Sequence, residues 1–166
     1  YEIAIIIIIM VVIARILFYL LYHYLQHFNF NILIGLILDA VKGLRIDAIG
    51  GPTIGADPIV GAVSVLSLLE HKKSLKAFLV RKAAKPHGTQ RQIEGPPLAK
   101  GTRAVVVDDV ATSGGSLLEA IFALRKRGIK VVKVIVLVDR NEGAKTLLKK
   151  AGYALCSFFN IDDFSA

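Results

Sequence analysis

Cysteine is nearly absent from this 166-residue chain. With Cys156 alone there is no disulfide framework, and a chain of this length must instead hold itself with one buried core. Cys156 lies in the apolar run Tyr153–Phe159 and reads as a buried strand residue of a protein in a reducing compartment. Acids are scarce where cations gather. Between positions 81 and 103, Arg81, Lys82, Lys85, Arg91, Lys100 and Arg103 are opposed by Glu94 alone, so much of the formal net charge of +8 sits in one segment. That segment also lacks interleaved aromatics and helical charge spacing, which argues against nucleic acid and for a small polyanionic ligand. No internal repeat or low-complexity linker interrupts the chain after its first segment.

The amino-terminal residues have a different character. Residues 3–13 are Ile-Ala-Ile-Ile-Ile-Ile-Ile-Met-Val-Val-Ile, and the apolar stretch continues past Arg15 to Leu21, followed by Tyr22, His23 and Tyr24. Its length permits a membrane span with interfacial aromatics. A secretory signal fits poorly, because neither a basic leader nor a small-residue cleavage site is visible. Five consecutive isoleucines also resemble placeholder assignments, and this reading is preferred, so no assignment is placed before about Ile34 and no membrane partner is expected.

From Ile34 onward helical and strand patterns alternate. Leu36–Val41 reads as a helix stopped at Gly43, Ile46–Ile49 as a strand, and Gly50–Ala56 as a permissive loop. Asp57-Pro58 supplies an N-cap and a first-turn proline for a helix to about Leu69. Leu75–Val80 is the second strand, 81–103 a long basic loop, and Ala104–Val107 the third strand. A helix over Ser116–Arg127, a strand over Val131–Val138, a helix over Gly143–Lys150 and a strand over Tyr153–Phe159 complete the chain. Such alternation calls for an α/β fold with a mostly parallel sheet flanked by helices. Ligands of these sheets lie beyond the carboxyl ends of the strands, which gathers loops 50–57, 81–103, 108–116 and 139–142 on one edge.

The segment 104–116 carries the most chemistry. Four apolar residues run into Asp108 and Asp109, then through Val110, Ala111, Thr112, Ser113, Gly114 and Gly115 to Ser116, where Ser116-Leu-Leu-Glu119 has the form of a capping box. Backbone N–H groups from Thr112 to Ser116 would point into the helix mouth, where unpaired donors and the positive dipole end favour a phosphate. Gly114 and Gly115 remove side chains that would keep the anion away. The paired aspartates, as acceptors, suit vicinal hydroxyls of a pentose. Together these features describe a ribose 5-phosphate cradle.

This segment closely resembles the signature of the type I phosphoribosyltransferases for 5-phosphoribosyl 1-pyrophosphate (PRPP). The resemblance implies that Asp108, Asp109 and 110–116 bind the ribose and its 5-phosphate, with Asp109 among the catalytic residues. The loop Arg81-Lys82-Ala83-Ala84-Lys85-Pro86-His87-Gly88 resembles the flexible catalytic loop of the orotate branch. By that likeness Arg81, Lys82, Lys85 and His87 contact the pyrophosphate, Lys85 and His87 assist its departure, and the loop reaches a partner subunit's site in a homodimer. Arg140 would hold the carboxylate of orotate and Thr112 its ring. The resemblance further implies Mg²⁺ held mainly by substrate and water, with no protein metal ligands, and a cytoplasmic enzyme of pyrimidine synthesis. Residues 1–34 stand where the family has its hood, and 35–166 form the core domain. Thr53-Ile54-Gly55 replaces a Tyr-Lys common in the orotate branch, and 1–34 show no Ser-Gly-Lys/Arg-x-Ser segment. A transferase for a purine base and a non-catalytic PRPP sensor are the alternatives.

Overall fold

The computed structural model describes residues 32–72, 74–82 and 92–164, with the side chains of positions 70 and 71 excepted. The segment 1–31, Lys85 and His87 lie outside the described residues. Leu36–Ala166 group as one compact unit.

A helix over residues 32–41 (α1) leads to β1 (Ala48–Pro52), α2 (Ala56–His71) and β2 (Lys76–Val80). β3 (Ile93–Glu94) and β4 (Arg103–Ala111) follow, then α3 (Gly115–Lys126), β5 (Lys130–Asp139), α4 (Ala144–Lys150) and β6 (Leu155–Asn160). A 3₁₀ turn over Ile161–Phe164 comes last. The strands form one six-stranded sheet in the order β3-β2-β1-β4-β5-β6. Every neighbouring pair is parallel except β2 and β3.

Both sheet faces are covered, which is why the central strands are nearly continuous runs of Val, Ile and Ala. On one face Ala48, Phe78, Val106 and Val136 pack with Leu117, Ile121 and Leu124 of α3 and Leu148 of α4. By strand alternation Ile49, Val105, Val107 and Ile135 point the other way, where α2 contributes Ile59, Val60 and Val63. All of these side chains are buried. The α/β architecture with a mostly parallel sheet therefore stands as the sequence predicts.

Several boundaries differ. The third predicted strand continues through both aspartates to Ala111, because β5 pairs Asp108 with Val136, Val110 with Val138 and Ala111 with Asp139. Gly50, Gly51 and Pro52 likewise belong to β1 and pair with Phe78, Leu79 and Val80. The basic loop is no plain loop: Arg81 N–H donates to Gln92 O at 2.9 Å, and β3 returns antiparallel along β2 as an edge strand. Neither predicted cap forms. α2 starts at Ala56 behind Gly55, and α3 starts at Gly115 behind Gly114, both without a side-chain cap. Asp57 and Ser116 stand two residues past the cap positions Gly55 and Gly114. Cys156 lies on edge strand β6 and is half-buried and free, since β6 has a neighbour on one side only.

Candidate functional site

The carboxyl ends of β1, β2, β4 and β5 share one edge, and the connection after β4 has the free donors. None of the N–H groups from Thr112 to Ser116 is taken up by a turn, cap or side-chain hydrogen bond among the described residues; the first donor used in α3 is Leu118 N–H, which bonds Gly114 O at 3.0 Å. The carbonyls of this connection point elsewhere. Ala111 O accepts from Arg140 N at 2.9 Å and Thr112 O from Ala144 N at 3.1 Å. Residues 108 and 110–117 line a cavity of about 60 Å³. At roughly 15 Å³ per oxygen-sized sphere, that is room for a tetrahedral oxyanion. A helix N-terminus with unpaired N–H groups supplies the complementary charge.

The two glycines play separate parts. Gly114 has φ +83°, and a Cβ there would stand 3.0 Å from Ala144 Cα, so the glycine serves α4 packing rather than ligand approach. Gly115 meets only Ser113 Oγ at 3.8 Å and leaves its side open.

Asp108 and Asp109 converge on the loop after β1. A methyl group on Gly55 would collide with a carboxylate oxygen of each. Asp109 is exposed, and Asp108 is only 8% exposed. Their backbone turns are closed locally, with Asp109 N–H donating to Asp108 Oδ1 at 3.0 Å and Val110 N–H to Asp109 Oδ1 at 2.7 Å. Burial, seconded by the nearby carboxylates of Asp109 and Asp57, pushes the Asp108 carboxyl up to about 7, against the pull of the Asp109 N–H. Asp57 and Gly55 were not singled out from the sequence as site residues. Only the fold brings them across some fifty positions to the aspartate pair, because β1 and β4 are neighbours in the sheet.

The remaining candidates are less concentrated. Arg81 leaves β2 and stands 4.0 Å from Glu94 across the hairpin, and Lys82 beside it is exposed. Arg140 leads the β5–α4 turn, next to Thr112 through its backbone bond to Ala111, and its guanidinium pairs with Glu142 at 2.8 Å. Both members of that pair are half exposed, so it is worth about 0–1 kcal/mol and yields readily to another carboxylate. Among the described residues no group of three or more His, Cys, Asp or Glu could hold a metal ion, and no helix is long and apolar enough to cross a membrane.

An open α/β sheet with a cup of unpaired N–H groups after β4 and a carboxylate pair in the last residues of that strand has the form of a class of phosphate-binding proteins. Residues 33–162 match the model of the phosphoribosyl transferase domain, and the chain belongs to that family. It is 43% identical over 132 residues to an orotate phosphoribosyltransferase of Synechocystis sp., covering 80% of this chain and 66% of the relative. An orotate phosphoribosyltransferase of Aquifex aeolicus is also 43% identical, over 125 residues, covering 75% and 67%. Among solved structures, Mycobacterium tuberculosis orotate phosphoribosyltransferase in complex with PRPP superposes with a TM-score of 0.69 at 32% identity, covering 84% of this chain and 77% of that one. The chain spans 59% to 67% of the length of these and other curated relatives.

Proposed function

We propose that this chain carries the catalytic core of an orotate phosphoribosyltransferase, which makes orotidine 5′-monophosphate and pyrophosphate from orotate and PRPP. The observation that carries the reading is the cup of unpaired N–H groups at 112–116 beside the Asp108–Asp109 pair. The names of the relatives support the choice of base.

In this reading the cup anchors the 5-phosphate, and the two aspartates accept hydrogen bonds from the ribose hydroxyls. Orotate N1 gives up its proton to solvent and forms the new bond to C1′ as the bond from C1′ to the diphosphate oxygen breaks, and the diphosphate leaves with the electron pair. Negative charge grows on that oxygen, so Lys85 and His87, with Arg81 and Lys82, lower the barrier by meeting it. Arg140 exchanges Glu142 for the orotate carboxylate, and Thr112 borders the ring. Asp108 and Asp109 offer hard oxygen atoms that would suit Mg²⁺ brought in on the donor's own oxygens. When bound it neutralises diphosphate charge. A homodimer with the catalytic loop shared between subunits and a cytoplasmic setting belong to the same reading.

Loss of orotate absorbance on adding PRPP and Mg²⁺ tests it, with adenine, hypoxanthine and uracil as competing acceptors. Turnover of orotate alone is expected. Turnover of a purine instead would give the site to another base, and binding of PRPP without turnover of any base would make the chain a sensor. Lys85→Ala should lower kcat by about 10²-fold or more while the Kd for PRPP changes little, since the group acts in the transition state.

A further inference from the structure

The β5–α4 turn has an acid buried beneath it. Arg140, Asn141, Glu142 and Gly143 are all exposed, yet Asp139, which precedes them, is 1% exposed. A carboxylate removed from water so completely needs compensating partners. Asp139 Oδ1 accepts the N–H of Asn141 at 3.0 Å, which holds Asn141 in a left-handed conformation with φ 57°. Oδ2 makes no hydrogen bond, and Lys145 Nζ at 3.3 Å is the cation that offsets it. Lys145 also donates to Asn160 Oδ1 at 3.3 Å, so its ammonium ties together β5, α4 and β6.

The turn so fixed abuts the phosphate cup at three points. Arg140 N–H and Ala144 N–H hold the carbonyls of Ala111 and Thr112, and Ala144 closes against the bare α-carbon of Gly114. The same turn presents Arg140. Converging N–H groups bind an anion only if the backbone behind them is held in place, and here the charged pair adds to the apolar packing of Ala111, Leu117 and Ala144.

We propose that Asp139 is a positioning residue which, through Asn141 and Lys145, sets the 139–145 turn in the geometry that serves both the phosphate cup and Arg140. It touches neither substrate. The assignment rests on the site reading above and deepens it.

Calorimetric titration with ribose 5-phosphate reads the cup without turnover. Lys145→Gln should still fold at 25 °C, with a Tm lowered because the buried Asp139 carboxylate loses its cation, and bind ribose 5-phosphate about three- to tenfold more weakly. Asp139→Asn keeps an acceptor for Asn141 and loses the charge, and should behave alike. Lys145→Arg should restore affinity. In turnover both weakened variants should raise KM for PRPP and for orotate, whereas Arg140→Ala should raise KM for orotate alone. A parent that binds ribose 5-phosphate while Lys145→Gln and Asp139→Asn match it within about twofold overturns the positioning role and leaves the site reading intact. A parent that binds no ribose 5-phosphate overturns the site reading and this role with it.

Discussion

Replacing Asp108 with asparagine keeps its size and removes its titration, and the fold fixes what should follow. In the unfolded chain this carboxyl titrates near its ordinary value of 3.8, and in the folded chain near 7, mainly because burial disfavours the charge. The folded state therefore binds the proton more tightly. Below the unfolded value the group stays protonated in both states and imposes no penalty, and as pH rises toward 7 its ionisation progressively lowers stability. From about pH 5 to about pH 8 the parent should lose at most about 2.6 kcal/mol relative to Asp108→Asn. Urea unfolding of both proteins at several pH values measures the difference. Ribose 5-phosphate should flatten it, since hydroxyl donors favour the ionised carboxylate. Stability curves that run parallel across this range, or diverge with the parent gaining as pH rises, would refute the argument from burial.

Two further outcomes follow from the site. Gly55→Ala places a methyl group against the oxygens of Asp108 and Asp109, so the Kd for PRPP by calorimetry should rise about tenfold or more while inorganic phosphate still binds the cup. Arg140→Ala breaks only an exposed pair with Glu142, so urea stability should change by no more than about 0.5 kcal/mol, while KM for orotate rises about tenfold or more and KM for PRPP stays put.

How far the sequence could be read depends on the range of the forces involved. The order of helices and strands was legible because apolar runs and glycine stops act over a few residues, and Thr112–Ser116 was legible as a turn with free N–H groups for the same reason. The end of β4 was not. Asp108 and Asp109 look like a turn in sequence, and they are strand because β5 offers partners through Asp139. The capping box at Ser116 is a sound local pattern that loses to packing, since contact between Gly114 and Ala144 sets where α3 begins. Arg140 was legible as a cation at a strand end, while its present partner Glu142 is a matter of rotamer and reach.

By itself, then, the chain determined an α/β sheet, a turn with free N–H groups and the pair of acids beside it, because propensity, periodicity and backbone permissiveness are written residue by residue. Only the tertiary structure decided that Gly55 and Asp57 crowd those acids, that Asp108 holds its proton to about 7, and that Asp139 is sealed under the turn with Lys145. Burial and charge coupling depend on which distant segments meet, and that is settled by how the sheet assembles.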